Sequence, residues 1–64
     1  MFIRVDKTRT KQFETLMDST AHKAEKFQVQ SNMKISKNYM YKVEVHSDRD
    51  MEYLMEIQTN FIAI

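Results

Sequence analysis

The sequence contains no glycine, no proline and no cysteine among its 64 residues. Without cysteine the chain forms neither a disulfide nor a thiolate metal site, and of the redox compartments a reducing cytoplasm fits best. Without glycine it lacks the glycine-rich loops that bind phosphate groups. Its turns must be made by other residues, and Asn is the first candidate because it tolerates a positive φ.

Long apolar runs are missing as well. No run approaches the roughly 20 residues needed to span a bilayer. Charged residues interrupt the apolar start at Arg4, Asp6 and Lys7, so we expect no secretory signal. We therefore expect a soluble cytoplasmic protein. A net charge of +1 gives no bulk electrostatic reason for nucleic-acid binding, which would need local clustering of basic residues.

The length predicts one domain, residues 1–64, near the lower limit for a fold held by a single apolar core. Small domains gain stability from disulfides, a metal or another chain. Here we expect a partner protein or a second copy of the chain, in a homodimer, to supply the extra stability. We expect that the protein binds no metal and no cofactor. Residues with AT-rich codons (Phe, Tyr, Met, Ile, Asn, Lys) outnumber Gly, Ala, Arg and Pro, which suggests a low-GC source such as a bacteriophage.

Two periodicities divide the chain. Residues 1–5 are β-branched and aromatic, which predicts a short strand. From Lys11 the apolar residues follow helical spacing as far as Phe27, with Thr8 or Thr10 as the N-cap. Alternation with a period of two over residues 27–35 and 39–46 then predicts a β-hairpin that places Phe27 on the apolar face.

The hairpin register follows from its apolar positions. A three-residue loop at 36–38 pairs Ile35 with Tyr39 and Met33 with Tyr41, which places apolar side chains together. Asn38 then takes the left-handed position that usually needs glycine. This register assigns both tyrosines to the core and turns Met40 and Lys42 outward.

A second helix begins at Ser47, an N-cap followed by Asp50 in a capping-box-like position. Its predicted inward residues are Met51, Leu54, Met55 and Ile57, and Thr59-Asn60 can end it with a left-handed Asn. The order is β-α-β-β-α(-β), and the fold class is α+β: a compact ferredoxin-like antiparallel sheet with two helices on one face. The alternative is a β-α-β-β-α domain in which residues 61–64 extend helix 2.

The two histidines, His22 and His46, do not fall in a catalytic pattern. His22 falls on the predicted exterior of helix 1 with Glu14, Asp18 and Glu25, where an ordinary charged helix surface is the simplest interpretation. His46, Ser47 and Asp48 are neighbours, but Ser47 as an N-cap explains that run. We predict that the protein is not an enzyme.

The outward positions of the sheet predict a binding surface. Phe2 and Met40 would form an apolar spot on the open face, surrounded by polar side chains. The strand at 27–35 would lie at the sheet edge with little protection, and edges of this kind accept another strand. The predicted partner-binding residues are Phe2, Arg4, Gln28, Gln30, Asn32, Lys34, Lys37, Met40 and Lys42.

Basic residues suggest a different surface. The loop after strand 1 and the hairpin tip would meet at one end of the sheet and form an anion or nucleic-acid site from Lys7, Arg9, Lys11, Lys34 and Lys37. RNA readers of this topology place aromatic residues on the open face, where only Phe2 qualifies.

The leading hypothesis is a small non-enzymatic protein-binding module, a phage-encoded regulator or inhibitor of a host protein that would act in the host cytoplasm. A nucleic-acid-binding regulator is the first alternative. A self-associating structural protein, a homodimer through the edge strand 27–35, is the second.

Overall fold

The computed structural model describes residues 1–31 and 34–62, and for 29–31 and 34–36 only the backbone. Within these residues the fold is a small α+β domain with an antiparallel sheet of three strands in the order β1-β3-β2 and two helices. The elements are β1 (Phe2–Asp6), a 3-10 turn (Lys7–Arg9), α1 (Thr10–Ser19), β2 (Ala24–Ser31), β3 (Lys34–Val43) and α2 (Asp48–Gln58).

The finer ferredoxin-like topology is not confirmed, because the described residues contain no fourth strand. Helix α2 ends at Gln58, and the chain then turns without resuming strand or helix as far as Ile62. Residues 63–64 of the predicted last strand lie outside the described residues. The predicted left-handed C-cap at Asn60 is wrong, since Ala21 alone among the described residues has a positive φ.

Helix α1 is much shorter than its apolar spacing predicts. Ala21 adopts a φ of 59° and ends it in a Schellman motif, in which His22 N–H donates to the Met17 carbonyl and Ala21 N–H to the Asp18 carbonyl. Alanine thus occupies the position where glycine is usual. The chain leaves the helix before His22, so the predicted row of His22 with helical carboxylates does not form.

The start of α1 also differs from the prediction. Neither Thr8 nor Thr10 caps the helix, whose N-cap residue is Arg9 with no side-chain hydrogen bond. Asp6 caps the preceding 3-10 turn instead, since its Oδ1 accepts from the Thr8 N–H at 3.0 Å. The chain therefore turns from β1 toward α1 in two stages.

The pairing of β2 with β3 runs through the segment predicted as the turn. Strand β2 ends at Ser31 and β3 begins at Lys34, and these two residues pair with each other. Residues 32–33, and with them the predicted pairing of Met33, lie outside the described residues. Asn38 lies inside β3, opposite Asp6, and not in a left-handed turn. The predicted loop at 36–38 is therefore wrong, and the register of β2 against β3 shifts between Gln28 and Gln30.

One apolar core lies between the sheet and both helices. Its buried side chains are Ile3 and Val5 from β1, Phe13 and Met17 from α1, Tyr41 and Val43 from β3, and Leu54 from α2. The predicted burial of Met17, Tyr41 and Leu54 is confirmed. The predicted burial of Met51 and Met55 is wrong, because these side chains are 43% and 56% exposed. No helix in the described parts of the chain is both long and apolar enough to cross a membrane.

Candidate functional site

The sheet surface facing away from the helices carries a row of apolar side chains. We call this surface the outer face. Phe27 of β2 lies directly opposite Met40 of β3, and Phe2 of β1 lies diagonal to Met40 because it pairs with Lys42. Phe2 is 59% exposed and Phe27 46% exposed. The row therefore crosses all three strands, and the sequence predicted two of its three members.

Phe27 is the member that the sequence placed wrongly. Pairing of Ala24 with Val43 sends Ala24 toward the core, so Glu25 and Phe27 turn to the outer face. The prediction assumed that helix 1 runs on to Phe27 and that Phe27 then begins the inward alternation. Both assumptions fail because the helix stops at Ser19.

Charged side chains of both signs surround the row. Arg4 lies opposite Met40, and Lys42 lies opposite Glu25, so the described outer face is mixed in charge. Arg4 and Lys42 are exposed on the predicted face.

The other predicted partner-binding residues fall elsewhere. Gln28 lies on the helix side, opposite Tyr39, which corrects its predicted orientation. Lys37 is exposed near the end of β1. Gln30 and Lys34 are described by their backbone pairing alone, and Asn32 lies outside the described residues.

The two edge strands of the sheet, β1 and β2, differ in whether other parts of the chain cover them. On β1 the outward N–H of Asp6 donates to the Phe61 carbonyl, and that of Arg4 to Gln58 Oε1 at 3.4 Å. The end of α2 and the turn after it therefore cover the β1 edge. Strand β2 lies at the other edge, where no strand of the described chain pairs with it.

The basic residues gather loosely at the end of β1. Arg9 donates to the Asn60 carbonyl, Lys11 is exposed on α1, and the Lys7 ammonium lies 4.8 Å from the Tyr39 ring centre. The pKa of Asp6 is lowered, mainly by hydrogen bonds from Thr8 and also by Arg9 and Lys37. A carboxylate thus lies within the predicted anion site, which weakens its attraction for phosphate.

A histidine–aspartate cluster connects the loop after α1 to the start of α2, and the sequence did not predict it. His22 is buried, and its Nε2 lies 2.8 Å from both carboxylate oxygens of Asp50. Its Nδ1 lies 2.7 Å from Thr20 Oγ1. The exposed His46 ring stacks on His22 with 4.6 Å between centroids and 3° between planes.

Asp50 is held from several directions. Its Oδ2 accepts from the His46 N–H at 2.9 Å, and its own N–H donates to Ser47 Oγ, which confirms Ser47 as the N-cap. The pKa of Asp50 is lowered, first by the His46 hydrogen bond and then by His22. The capping pattern around Ser47 was the one sequence signal of this cluster.

Tyr41 forms a second polar contact, between its buried ring and an exposed carboxylate. Its hydroxyl donates to Glu14 Oε2 at 2.6 Å, and burial together with this hydrogen bond raises the Tyr41 pKa. The Phe13 ring lies against Tyr41 with 4.7 Å between centroids. An open cleft of about 160 Å³ beside this pair is lined by Glu14, Asp18, His22, Lys26 and Tyr41, among others.

Comparison of the chain with protein-family models, curated proteins and solved structures finds no match.

Proposed function

We propose that the chain is a small non-enzymatic protein-binding module, a regulator or inhibitor of another protein, and that it binds through the outer face. The observation that carries the proposal is the row of Phe2, Met40 and Phe27 across three strands, in which both phenylalanines are exposed and Met40 is half-buried between them. Aromatic side chains dominate the energetics of protein interfaces, and apolar side chains grouped within a polar rim are typical of binding sites.

The proposed occupant is an extended segment of the partner that adds to the sheet along β2. This edge is unpaired within the described residues, whereas the chain covers the β1 edge with Phe61 and Gln58. The apolar row ends on β2 at Phe27, so an added strand would bring its alternate side chains next to that ring. The partner segment should accordingly have apolar residues at every second position.

The absence of enzymatic activity is part of the proposal. Ser47 Oγ accepts the Asp50 N–H as a helix cap, and the contacts of His22 are to Thr20 and Asp50. The Thr20 hydroxyl lies 2.7 Å from His22 Nδ1, but it donates its proton to the Leu16 carbonyl at 2.9 Å. The imidazole therefore does not act on this hydroxyl as a general base would on a nucleophile. The best-formed polar contacts of the described residues thus serve the fold.

Affinity capture from the native host tests the proposal when two double variants are compared. Phe2→Ala with Phe27→Ala, the outer-row variant, removes the two exposed aromatic side chains of the row. Met51→Ala with Met55→Ala is the matched control, because it removes two exposed apolar side chains of α2. The proposal expects a partner that wild type and the control retain and the outer-row variant loses, with similar thermal melts for all three proteins.

Two outcomes contradict the proposal. Equal capture of the partner by wild type and the outer-row variant would show that the outer face does not bind it. Loss of the partner in the α2 variant alone would show that the partner binds at α2. Salt-sensitive binding of an RNA or DNA pool without a protein partner would favour the alternative function. A dimer by sedimentation at micromolar concentration that Phe27→Ala dissociates would favour self-association.

A further inference from the structure

We propose that His22, His46 and Asp50 form a binding site for a divalent transition-metal ion such as Zn²⁺. One donor atom from each of these residues lies within 4.8 Å of the others. Two imidazoles and a carboxylate are the donors that zinc prefers in proteins without cysteine ligands, with a water as the fourth ligand. This inference is independent of binding through the outer face.

His22 has the environment of a metal-ligating histidine. Such residues usually engage their second ring nitrogen in a hydrogen bond that fixes the ring, and Thr20 Oγ1 supplies this contact to Nδ1 at 2.7 Å. The Thr20 hydroxyl also lies 2.9 Å from the Leu16 carbonyl. When Nε2 binds the ion, Nδ1–H donates to Thr20 and the hydroxyl donates to Leu16, so every group keeps a partner.

The Asp50 carboxylate is also held in an orientation that suits a metal ligand. The His46 backbone N–H donates to its Oδ2, which fixes the carboxylate with both oxygens 2.8 Å from His22 Nε2. Oδ1 could then bind the ion while Oδ2 keeps its hydrogen bond to the backbone. An ion at this point would take the place of the proton between the imidazole and the carboxylate. The change at these two residues is therefore small.

His46 has to move to complete the site. Its ring is parallel to that of His22, so the lone pairs of the two rings cannot converge on one ion without a side-chain rotation. Tetrahedral donors around zinc lie about 3.3 Å apart, so the present spacing must close by roughly 1.5 Å. The exposed His46 side chain can rotate to do this, and Glu44 Oε1, 3.7 Å from His46 Nε2, adds a second negative charge nearby.

The location gives the ion a structural role. It would connect the loop that follows α1 with the N-terminus of α2, two segments that the chain cannot join by a disulfide. An ion that binds the native state alone stabilises that state by mass action. This is one way for so short a chain to supplement its core.

Titration of untagged protein with Co²⁺, followed by Zn²⁺ competition, tests the site. The visible Co²⁺ absorption reports the number and type of ligands. Wild type should bind one equivalent and melt at a higher temperature with Zn²⁺. His46→Phe keeps an aromatic ring stacked on His22 but provides no donor, so it should bind at least about 10-fold more weakly and lose the Zn²⁺-dependent rise in melting temperature.

Glu56→Gln is the control, because it removes an exposed carboxylate of α2 outside the cluster. It should bind Co²⁺ as wild type does. No one-to-one Co²⁺ complex with wild type up to millimolar concentration would overturn the proposal. Equal affinity in wild type and in a folded His46→Phe protein would overturn it too.

Discussion

His22 Nε2 lies 2.8 Å from each carboxylate oxygen of Asp50, a contact between residues 28 positions apart in the chain. His22 is almost fully buried, and the Asp50 side chain is 15% exposed. Removing one partner of such a pair leaves a polar group without its partner in a largely desolvated place. The contact therefore secures the start of α2 against the loop after α1.

Asp50→Ala should lower the free energy of unfolding by more than Asp48→Ala does, because it removes the partner of His22 and the acceptor of the His46 N–H. Asp48→Ala is the control, since it removes another first-turn acid, an exposed one, and should cost less than about 1 kcal/mol. Urea denaturation near pH 7 measures both. Equal losses of stability in the two variants would mean that Asp50 stabilises the fold only through its interaction with the helix dipole.

Ala21→Gly should stabilise the fold by about 0.5–1 kcal/mol, because alanine at a φ of 59° pays a steric cost that glycine avoids. Ala21→Val should destabilise it, since a β-branched side chain tolerates this conformation poorly. Thermal melts of the two variants test the Schellman motif. A destabilised glycine variant would mean that Ala21 is not in the left-handed region.

Tyr41→Phe should destabilise the protein at neutral pH by about 1 kcal/mol, because it removes the hydrogen bond to Glu14. The Tyr41 pKa is raised in the folded state, so this contribution is complete below the pKa of an unfolded tyrosine. It is lost as pH rises above about 10, where the unfolded state ionises first. The stability difference between wild type and Tyr41→Phe should therefore stay constant up to about pH 10 and shrink above it, and a difference that stays constant above this pH would refute the raised pKa of Tyr41.

Phe27→Ala should change the free energy of unfolding by less than about 1 kcal/mol, because its side chain is 46% exposed on a sheet face that no described helix covers. Leu54→Ala, at a fully buried position, should cost about 2–5 kcal/mol. Denaturation of the two variants separates exposed from core apolar residues. A large loss in Phe27→Ala would make that ring part of the fold and leave it unsuitable as a binding probe.

Several elements of the fold were predictable because their signals are local. The β-branched start, the apolar stripe at Phe13 and Met17 and the cap at Ser47 each depend on residues a few positions apart. The end of α1 was not predictable, because Ala21 makes a turn that normally needs glycine and Ala24 and Phe27 continue the helical spacing. That single error shifted the start of β2 and reversed the face of Phe27.

The parts of the candidate sites that depend on local patterns were predictable, and those that depend on contacts between distant residues were not. Phe2 and Met40 follow from strand alternation, which depends on neighbouring residues. The pairing of His22 with Asp50 joins distant segments and requires that α1 stop before residue 20, which no local pattern indicated. Two polar residues on separate loops come into contact only if each loop begins and ends at particular residues. Sequence periodicity does not predict those residues.

The central claim is that the outer face binds a partner protein. Its most direct test is the dissociation constant of the captured partner for wild type and for folded Phe27→Ala, measured by titration calorimetry with Met55→Ala as control. Loss of an aromatic residue at an interface centre costs roughly 1.4 kcal/mol or more, so we expect at least about a 10-fold weaker complex for Phe27→Ala and an unchanged one for Met55→Ala. Equal dissociation constants for wild type and Phe27→Ala would contradict the account.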